Sequence, residues 1–159
     1  MQLQLFRIDD RLIHGQVVIG WASHLNSHTI VLCDDSISEN EWEKELYLSI
    51  VPGHLRAVVT DVEGFVAQLN DKANDWGKTI VVVGSPFVVE DVLKRGVTLK
   101  EINVGGIHFK EGRKELLPFL FLNEEERQSF KRLLEKGIKI YCQDVPTAKP
   151  IPLEKVLNK

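Results

Sequence analysis

Cysteine is scarce in this chain. Only Cys33 and Cys142 occur among the 159 residues, far apart and with no C-x-x-C pair, so no disulfide framework can be built. Each lies in an apolar stretch that reads as a strand, and buried, reduced thiols are expected. Long apolar runs are missing as well: stretches such as Thr79 to Val83 and Leu116 to Leu122 fall well short of the roughly 20 residues needed to cross a bilayer. The opening MQLQLFRIDD lacks a basic region, an apolar stretch and a small-residue cleavage site, so it is no secretory signal and the chain is expected to be cytoplasmic. Any membrane role must then run through a partner. No block of Lys or Arg stands out and the formal net charge is -3, which argues against nucleic acid as a partner. Neither G-x-G-x-x-G nor G-x-x-x-x-G-K-[ST] occurs, so no nucleotide cofactor is expected. Metal is not expected either, because His24 and His28 share an i, i+4 spacing but lack further ligands, with Asn26-Ser27 between them suggesting a helix end.

The chain is 43% hydrophobic and 27% charged, the balance of one soluble globular domain over residues 1–159. Short β-branched or apolar runs alternate with segments of helical period, which predicts an α/β fold: a single, mainly parallel open β-sheet with helices on both faces. Strands are expected at 3–8, 29–33, 55–59, 78–83, 101–104 and 138–142, the last closing the sheet. A first helix is expected to start near Gln16 and to carry Val17, Val18, Trp21 and Leu25 inward. Ser38 is expected to cap a second helix through Trp42, Leu46 and Ile50, with Glu41 completing a capping box, and Pro52-Gly53 ends it. Asp61 opens the next helix, with Phe65, Val66 and Leu69 on one face. Gly84-Ser85-Pro86 precedes another that runs through Val88, Val92 and Leu93 to Gly96. Gly105-Gly106 reads as a turn, Lys110 to Lys114 as a charged loop, and Leu116 to Leu122 as a strand or a buried turn. Asn123 is a natural cap for a helix over 124–136, acidic in its first turn and basic in its last. The tail from Val145 carries Pro146, Pro150 and Pro152 and is expected to lie over the surface or against a partner.

In a parallel sheet, ligands gather at the carboxyl ends of the strands, where the strand-to-helix loops and helix N-termini point. The first such loop, Arg7-Ile8-Asp9-Asp10-Arg11-Leu12-Ile13-His14-Gly15-Gln16, combines two guanidinium groups, two carboxylates, one imidazole and a glycine. A phosphoryl group held on histidine needs a neutral nucleophilic imidazole, a cationic fork for its oxygens, and backbone N–H groups to share their charge. His14 is the candidate nucleophile and Arg11 the first choice of fork. Arg7 lies inside the strand, where its side chain can point to either face. Asp10 can accept a hydrogen bond from the imidazole N–H, fixing the tautomer, and could equally pair with Arg11. Gly15 admits a close backbone approach and Gln16 can present its N–H to the phosphoryl group. The bland alternative is a solvated turn whose ion pair is worth little. Leu12 and Ile13 either belong to a docking surface with Ser85-Pro86-Phe87 or anchor the loop in the core. His54 reads as a loop residue. His108, at another strand end, reads as making a structural hydrogen bond.

The run from Arg7 to Val17 resembles the active-site segment of the enzyme IIB subunits of the mannose, fructose, sorbose and N-acetylgalactosamine family of the sugar phosphotransferase system. The likeness continues through Val31-Leu32-Cys33-Asp34-Asp35, Gly84-Ser85-Pro86, Ile102-Asn103-Val104-Gly105-Gly106-Ile107-His108-Phe109, Glu111-Gly112 and Gln143-Asp144-Val145-Pro146, nearly the whole chain. The length suits a free-standing IIB domain better than a fused IIAB protein. The resemblance implies that His14 accepts a phosphoryl group on Nδ1 from a histidine of the IIA subunit and donates it to a sugar held by the membrane subunits IIC and IID. It makes Arg11 the phosphoryl-stabilising residue, leaves sugar selection mainly to the membrane subunits, and places the protein at the periphery of the membrane transporter. Two rivals compete. A receiver-type phospho-aspartate module would use Asp9, Asp10, Asp61 and Ser85, but the lysine such modules carry after the fifth strand is replaced here by Asn103-Val104-Gly105, and fold likeness does not carry function. A non-catalytic relative would bind IIA and report its phosphorylation state; a genomic neighbourhood without IIC and IID genes would favour it.

Overall fold

The structure is a computed structural model and describes residues 1–158. Its main sheet has seven strands in the order β3-β2-β4-β1-β5-β8-β9. These are β1 (Gln2–Asp9), β2 (Thr29–Cys33), β3 (Arg56–Thr60), β4 (Lys78–Val83), β5 (Glu101–Gly106), β8 (Lys139–Cys142) and β9 (Ile151–Pro152). Every pairing is parallel except that of β9 on β8. Strands covered on both faces should read as unbroken apolar runs, and Thr29–Cys33 is buried at every position.

Alternate residues feed two cores. Ile30, Leu32, Ile80 and Val82 meet Val17, Val18 and Trp21 of a π-helical turn, Gln16–Trp21, which continues as α1 (Ala22–Leu25). Val31, Cys33, Val81 and Val83 face the opposite layer, where Phe65, Val89, Val92, Phe130 and Leu133 pack. These five come from α4 (Val62–Asn70), α5 (Pro86–Lys94) and α6 (Glu124–Glu135). Helices thus cover both faces of one sheet, the α/β arrangement expected from the alternating pattern. Both cysteines are buried and free, and burial pushes their thiols up to about 12.

Several local expectations are corrected. The single helix expected after Cys33 is two, α2 (Asp35–Glu39) and α3 (Glu41–Ile50), because Asp34 and Asn40 each cap a helix by accepting a backbone N–H. Ser38 is no cap; its hydroxyl donates to the carbonyl of Asp35. α3 turns Tyr47, Leu48 and Val51 towards the core. That rotation leaves Trp42, Leu46 and Ile50 in solvent, 74%, 47% and 42% exposed.

Leu116 to Leu122 resolves into a hairpin of β6 (Lys114–Leu117) and β7 (Leu120–Leu122). The tail adds a strand at the edge, so β8 does not close the sheet. Pro152 is tolerated in β9 because that strand is at the edge, and α7 (Leu153–Leu157) buries Leu153, Val156 and Leu157, an i, i+3, i+4 stripe.

Asn123 caps α6 as the sequence suggests, in a reciprocal box: the Glu126 N–H donates to Asn123 Oδ1 at 2.8 Å and the Asn123 N–H to Glu126 Oε1 at 2.9 Å. Asn123→Ala is expected to lower unfolding free energy by about 1 kcal/mol, read as a shift in denaturant midpoint at constant slope.

Candidate active site

β1 lies between β4 and β5, so its carboxyl end opens at the middle of the sheet. Pairing to β5 runs Ile8 with Val104, then Asp9 with Gly106, stepping over Gly105. Past Asp9 the chain turns tightly. Leu12 N–H bonds the Asp9 carbonyl at 3.0 Å, and Leu12 takes φ 62°, a left-handed conformation unfavourable for a branched side chain. Burial of Leu12 and Ile13 holds the loop in that shape, so they are core anchors and not docking residues.

His14 then begins the π-helical turn, its carbonyl accepting from both Val17 and Val18 N–H. Gly15 has φ -54°, and a Cβ placed there would meet only Ile19 Cδ1 at 3.8 Å, so the backbone does not demand glycine.

The centre of the site is Asp9, which is fully buried. Its Oδ1 accepts from the Arg11 N–H and Nε, each at 3.1 Å. Its Oδ2 meets Arg11 Nη2 at 3.1 Å, Arg7 Nη2 at 3.2 Å and His14 Nε2 at 2.9 Å. Burial alone would raise this carboxyl. Hydrogen bonds from His14 and Arg11, with the charge of Arg7, outweigh burial and hold Asp9 below the usual carboxylate range. An ionised carboxylate only accepts, so the hydrogen between Asp9 and His14 belongs to Nε2. Nδ1 is left with its lone pair, towards which the Gln16 N–H points at 3.2 Å. The outcome is an imidazole whose Nε2 is engaged by Asp9 and whose Nδ1 has a backbone N–H beside it.

Two expected roles change hands. Asp10 does not orient His14: its oxygens take the His108 N–H at 2.7 Å and Nδ1 at 2.6 Å, because the turn aims Asp9 inward and Asp10 towards the Gly106–His108 segment. Arg7 does not reach the surface. Its guanidinium is wholly buried, bonded to Asn103 Oδ1 at 2.6 Å, Gln143 O at 3.0 Å and Asp144 O at 2.8 Å, and lies 5.4 Å over the Trp21 ring. Burial lowers its pKa, and the charge of Asp9 opposes that shift. Arg7 therefore supports Asp9 from beneath and cannot itself touch a phosphoryl oxygen.

The loop's other cation, Arg11, is 38% exposed at its side chain, and its Nη1 has no partner among the described residues.

Gly105 and Gly106 belong to β5 and do not form the expected turn. Their lack of a side chain serves the arginines: a Cβ at Gly105 would stand 1.9 Å from Arg7 Cζ, and one at Gly106 would stand 2.7 Å from His108 Cε1 and 3.3 Å from Arg11 Nη2. Arg113 braces this side, donating to His108 O at 2.7 Å and to both oxygens of Glu126. Among the described residues no group of three or more His, Cys, Asp or Glu could hold a metal ion. The receiver-type reading loses its central residue, since Asp61 caps α4 by accepting from Gly64 N–H at 2.7 Å.

The family described as "PTS system sorbose subfamily IIB component" matches residues 3–159. The chain belongs to that family. A sorbose-specific EIIB component from Klebsiella pneumoniae is 29% identical over 159 residues, spanning 100% of this chain and 95% of that protein. The crystal structure of the IIBSor domain of the sorbose permease from Klebsiella pneumoniae superposes with TM-score 0.92 at 28% identity, covering 99% of this chain and 97% of that one. A mannose-specific EIIAB component from Escherichia coli (strain K12) is 28% identical over all of this chain, which spans 49% of that longer protein. As a IIB component the protein serves phosphoryl transfer within the sugar phosphotransferase system. None of its helices, among the described residues, is long and apolar enough to cross a membrane.

Sequence reasoning missed Asp9 as the imidazole's partner, although a signal was present: residues two apart in a strand share a face, which puts Asp9 beside Arg7. Asn103 reaches Arg7 from inside the neighbouring strand β5 and Gln143 from just past β8, and no local pattern announces them.

Proposed function

We propose that His14 of this IIB component carries the phosphoryl group on Nδ1, taking it from a histidine of a IIA subunit and giving it to a sugar held by the membrane subunits IIC and IID. The observation that carries the reading is the buried Asp9 carboxylate on His14 Nε2 at 2.9 Å. In the first step the Nδ1 lone pair forms a bond to phosphorus while the donor's N–P bond breaks and its electron pair returns to the donor ring. Positive charge appears on the His14 imidazole, and Nε2–H delivers it towards Asp9. Gln16 N–H, which now bonds Nδ1, can turn to a phosphoryl oxygen, and Arg11 Nη1 has no competing partner among the described residues, Nε and Nη2 being given to Asp9. In the second step a sugar hydroxyl oxygen bonds to phosphorus as the N–P bond breaks, the N–P electron pair returning to Nδ1 and the hydroxyl proton passing to water. Transfer between two histidines nearly conserves bond energy, so positioning and charge compensation are what the site must supply.

The mannose-specific relative is an EIIAB component in a single longer chain, which supports IIA as the donor. The activity is that of a protein-Nπ-phosphohistidine–sugar phosphotransferase, acting in the cytoplasm at the periphery of the membrane transporter. The test is incubation with phosphoenolpyruvate, enzyme I, HPr and the matching IIA subunit, following the label. An acid-labile, alkali-stable phosphoprotein is expected, absent in His14→Ala and formed on the order of 100-fold more slowly in Arg11→Ala. An alkali-labile label that survives His14→Ala would overturn the proposal.

A further inference from the structure

Phe87, in the first turn of α5, is 42% exposed at the same end of the sheet as His14. Parallel pairing sets Val83 beside Ile8, and a Cβ at Gly84 would lie 3.3 Å from Leu12 Cδ2, so the turn leading to Phe87 touches the His14 loop. The ring lines two shallow hollows. One, of about 300 Å³, is shared with Asp34, Asp35 and Asp91. The other, of about 340 Å³, is shared with Glu124 and Glu125. An exposed aromatic ring is therefore ringed by five carboxylates. The neighbouring cations offset this rim only in part: Arg132, which edges the second hollow, gives both Nε and Nη2 to Glu90, and Arg95 pairs with Asp91 at 3.7 Å.

We infer that Phe87 and the carboxylates around it dock Lys/Arg-rich cytoplasmic loops of the membrane subunits that receive the phosphoryl group. The inference rests on the proposed function for its second transfer step. An aromatic anchor inside a charged rim is the usual make-up of a binding surface, and its partner must bring an apolar contact inside a basic surround. Cytoplasmic loops of membrane proteins carry an excess of Lys and Arg, which supplies that complement. A lipid surface does not, because the cytoplasmic leaflet is anionic and would repel this face. Contact between the Phe87 turn and the His14 loop means that a loop seated here lies beside the phosphoryl group it is to receive.

The test separates the two transfer steps. Phe87→Ala and, independently, Glu125→Lys are compared with wild type for label acceptance from IIA, and for label transfer to sugar by vesicles containing IIC and IID. Both positions are exposed, and thermal unfolding confirms the fold of each variant. Acceptance from IIA is expected to stay within about 2-fold. In the sugar step, the KM for the phosphorylated protein is expected to rise about 10-fold in either variant, with kcat little changed. Added salt should raise the wild-type KM and have less effect on Glu125→Lys. An equal loss in the IIA step would assign the surface to the donor and overturn the inference, as would unchanged kinetics in both steps. Failure of the wild type to label, or to pass label to sugar, would instead overturn the proposed function.

Discussion

Asp9→Asn is expected to slow phosphoryl acceptance by His14 about 100-fold or more. In the proposed reaction the carboxylate has two tasks: it holds the hydrogen on Nε2, and it would stabilise the charge the ring gains on taking phosphorus at Nδ1. An asparagine oxygen in the place of Oδ2 can still accept from Nε2, but the amide end then stands in the place of Oδ1 and faces the N–H and Nε of Arg11, which offer only donors. The same substitution leaves the buried Arg7 without its carboxylate, a loss of about 3–5 kcal/mol in stability. Rapid-quench labelling of folded protein reads the first effect and denaturant unfolding the second. The stability gap should depend on acid in a definite direction. Asp9 is held below its unfolded value of about 3.9, so its contribution is complete above that pH and is lost as pH falls through the lower native value. Urea midpoints of wild type and Asp9→Asn should therefore differ by a constant amount near neutrality and converge in strong acid. Unchanged labelling in the variant would remove Asp9 from the catalytic apparatus.

Gly105→Ala is expected to be the most damaging single-methyl change in the chain. Its Cβ would fall 1.9 Å from Arg7 Cζ and 2.0 Å from Nη2, far inside van der Waals contact with a group that is fully buried and bonded to Asn103, Gln143, Asp144 and Asp9. Arg7 cannot remain where it is, and displacing it breaks the ion pair beneath the site. A loss of about 3–5 kcal/mol follows, on the order of 10 °C in Tm for a chain of this size. Gly53→Ala is the control, because nothing lies within 4 Å of a Cβ there, and a change of no more than about 0.5 kcal/mol is expected. Equal Tm values for the two variants would mean that Arg7 is not locked in the place described.

The sheet was legible because parallel strands covered on both faces write continuous apolar runs. Residues 29–33 and 78–83 were read to the residue, and Asn123 and Asp61 announced their helices by cap chemistry. Misreadings occurred where a distant partner overrides local preference. Gly105-Gly106 looked like a turn because the arginines that require glycine there come from another strand. The proline-bearing tail reads only as lying over the surface or against a partner, because edge pairing to β8 is invisible in its own sequence. Ser38 lost its capping role to Asn40, a competing cap two residues on.

The site was legible as a set of residue types within one loop, with His14 and Arg11 singled out. Which carboxylate serves which histidine was not. That depends on the turn at Leu12, whose left-handed backbone is held by burial.

Nitrogen-15 and phosphorus-31 NMR of the phosphorylated protein, with labelled histidine, tests the central claim most directly. Phosphorus is expected to couple to Nδ1 of His14, with Nε2 still protonated and bonded to Asp9. Phosphorus on Nε2, or on any residue other than His14, would contradict it.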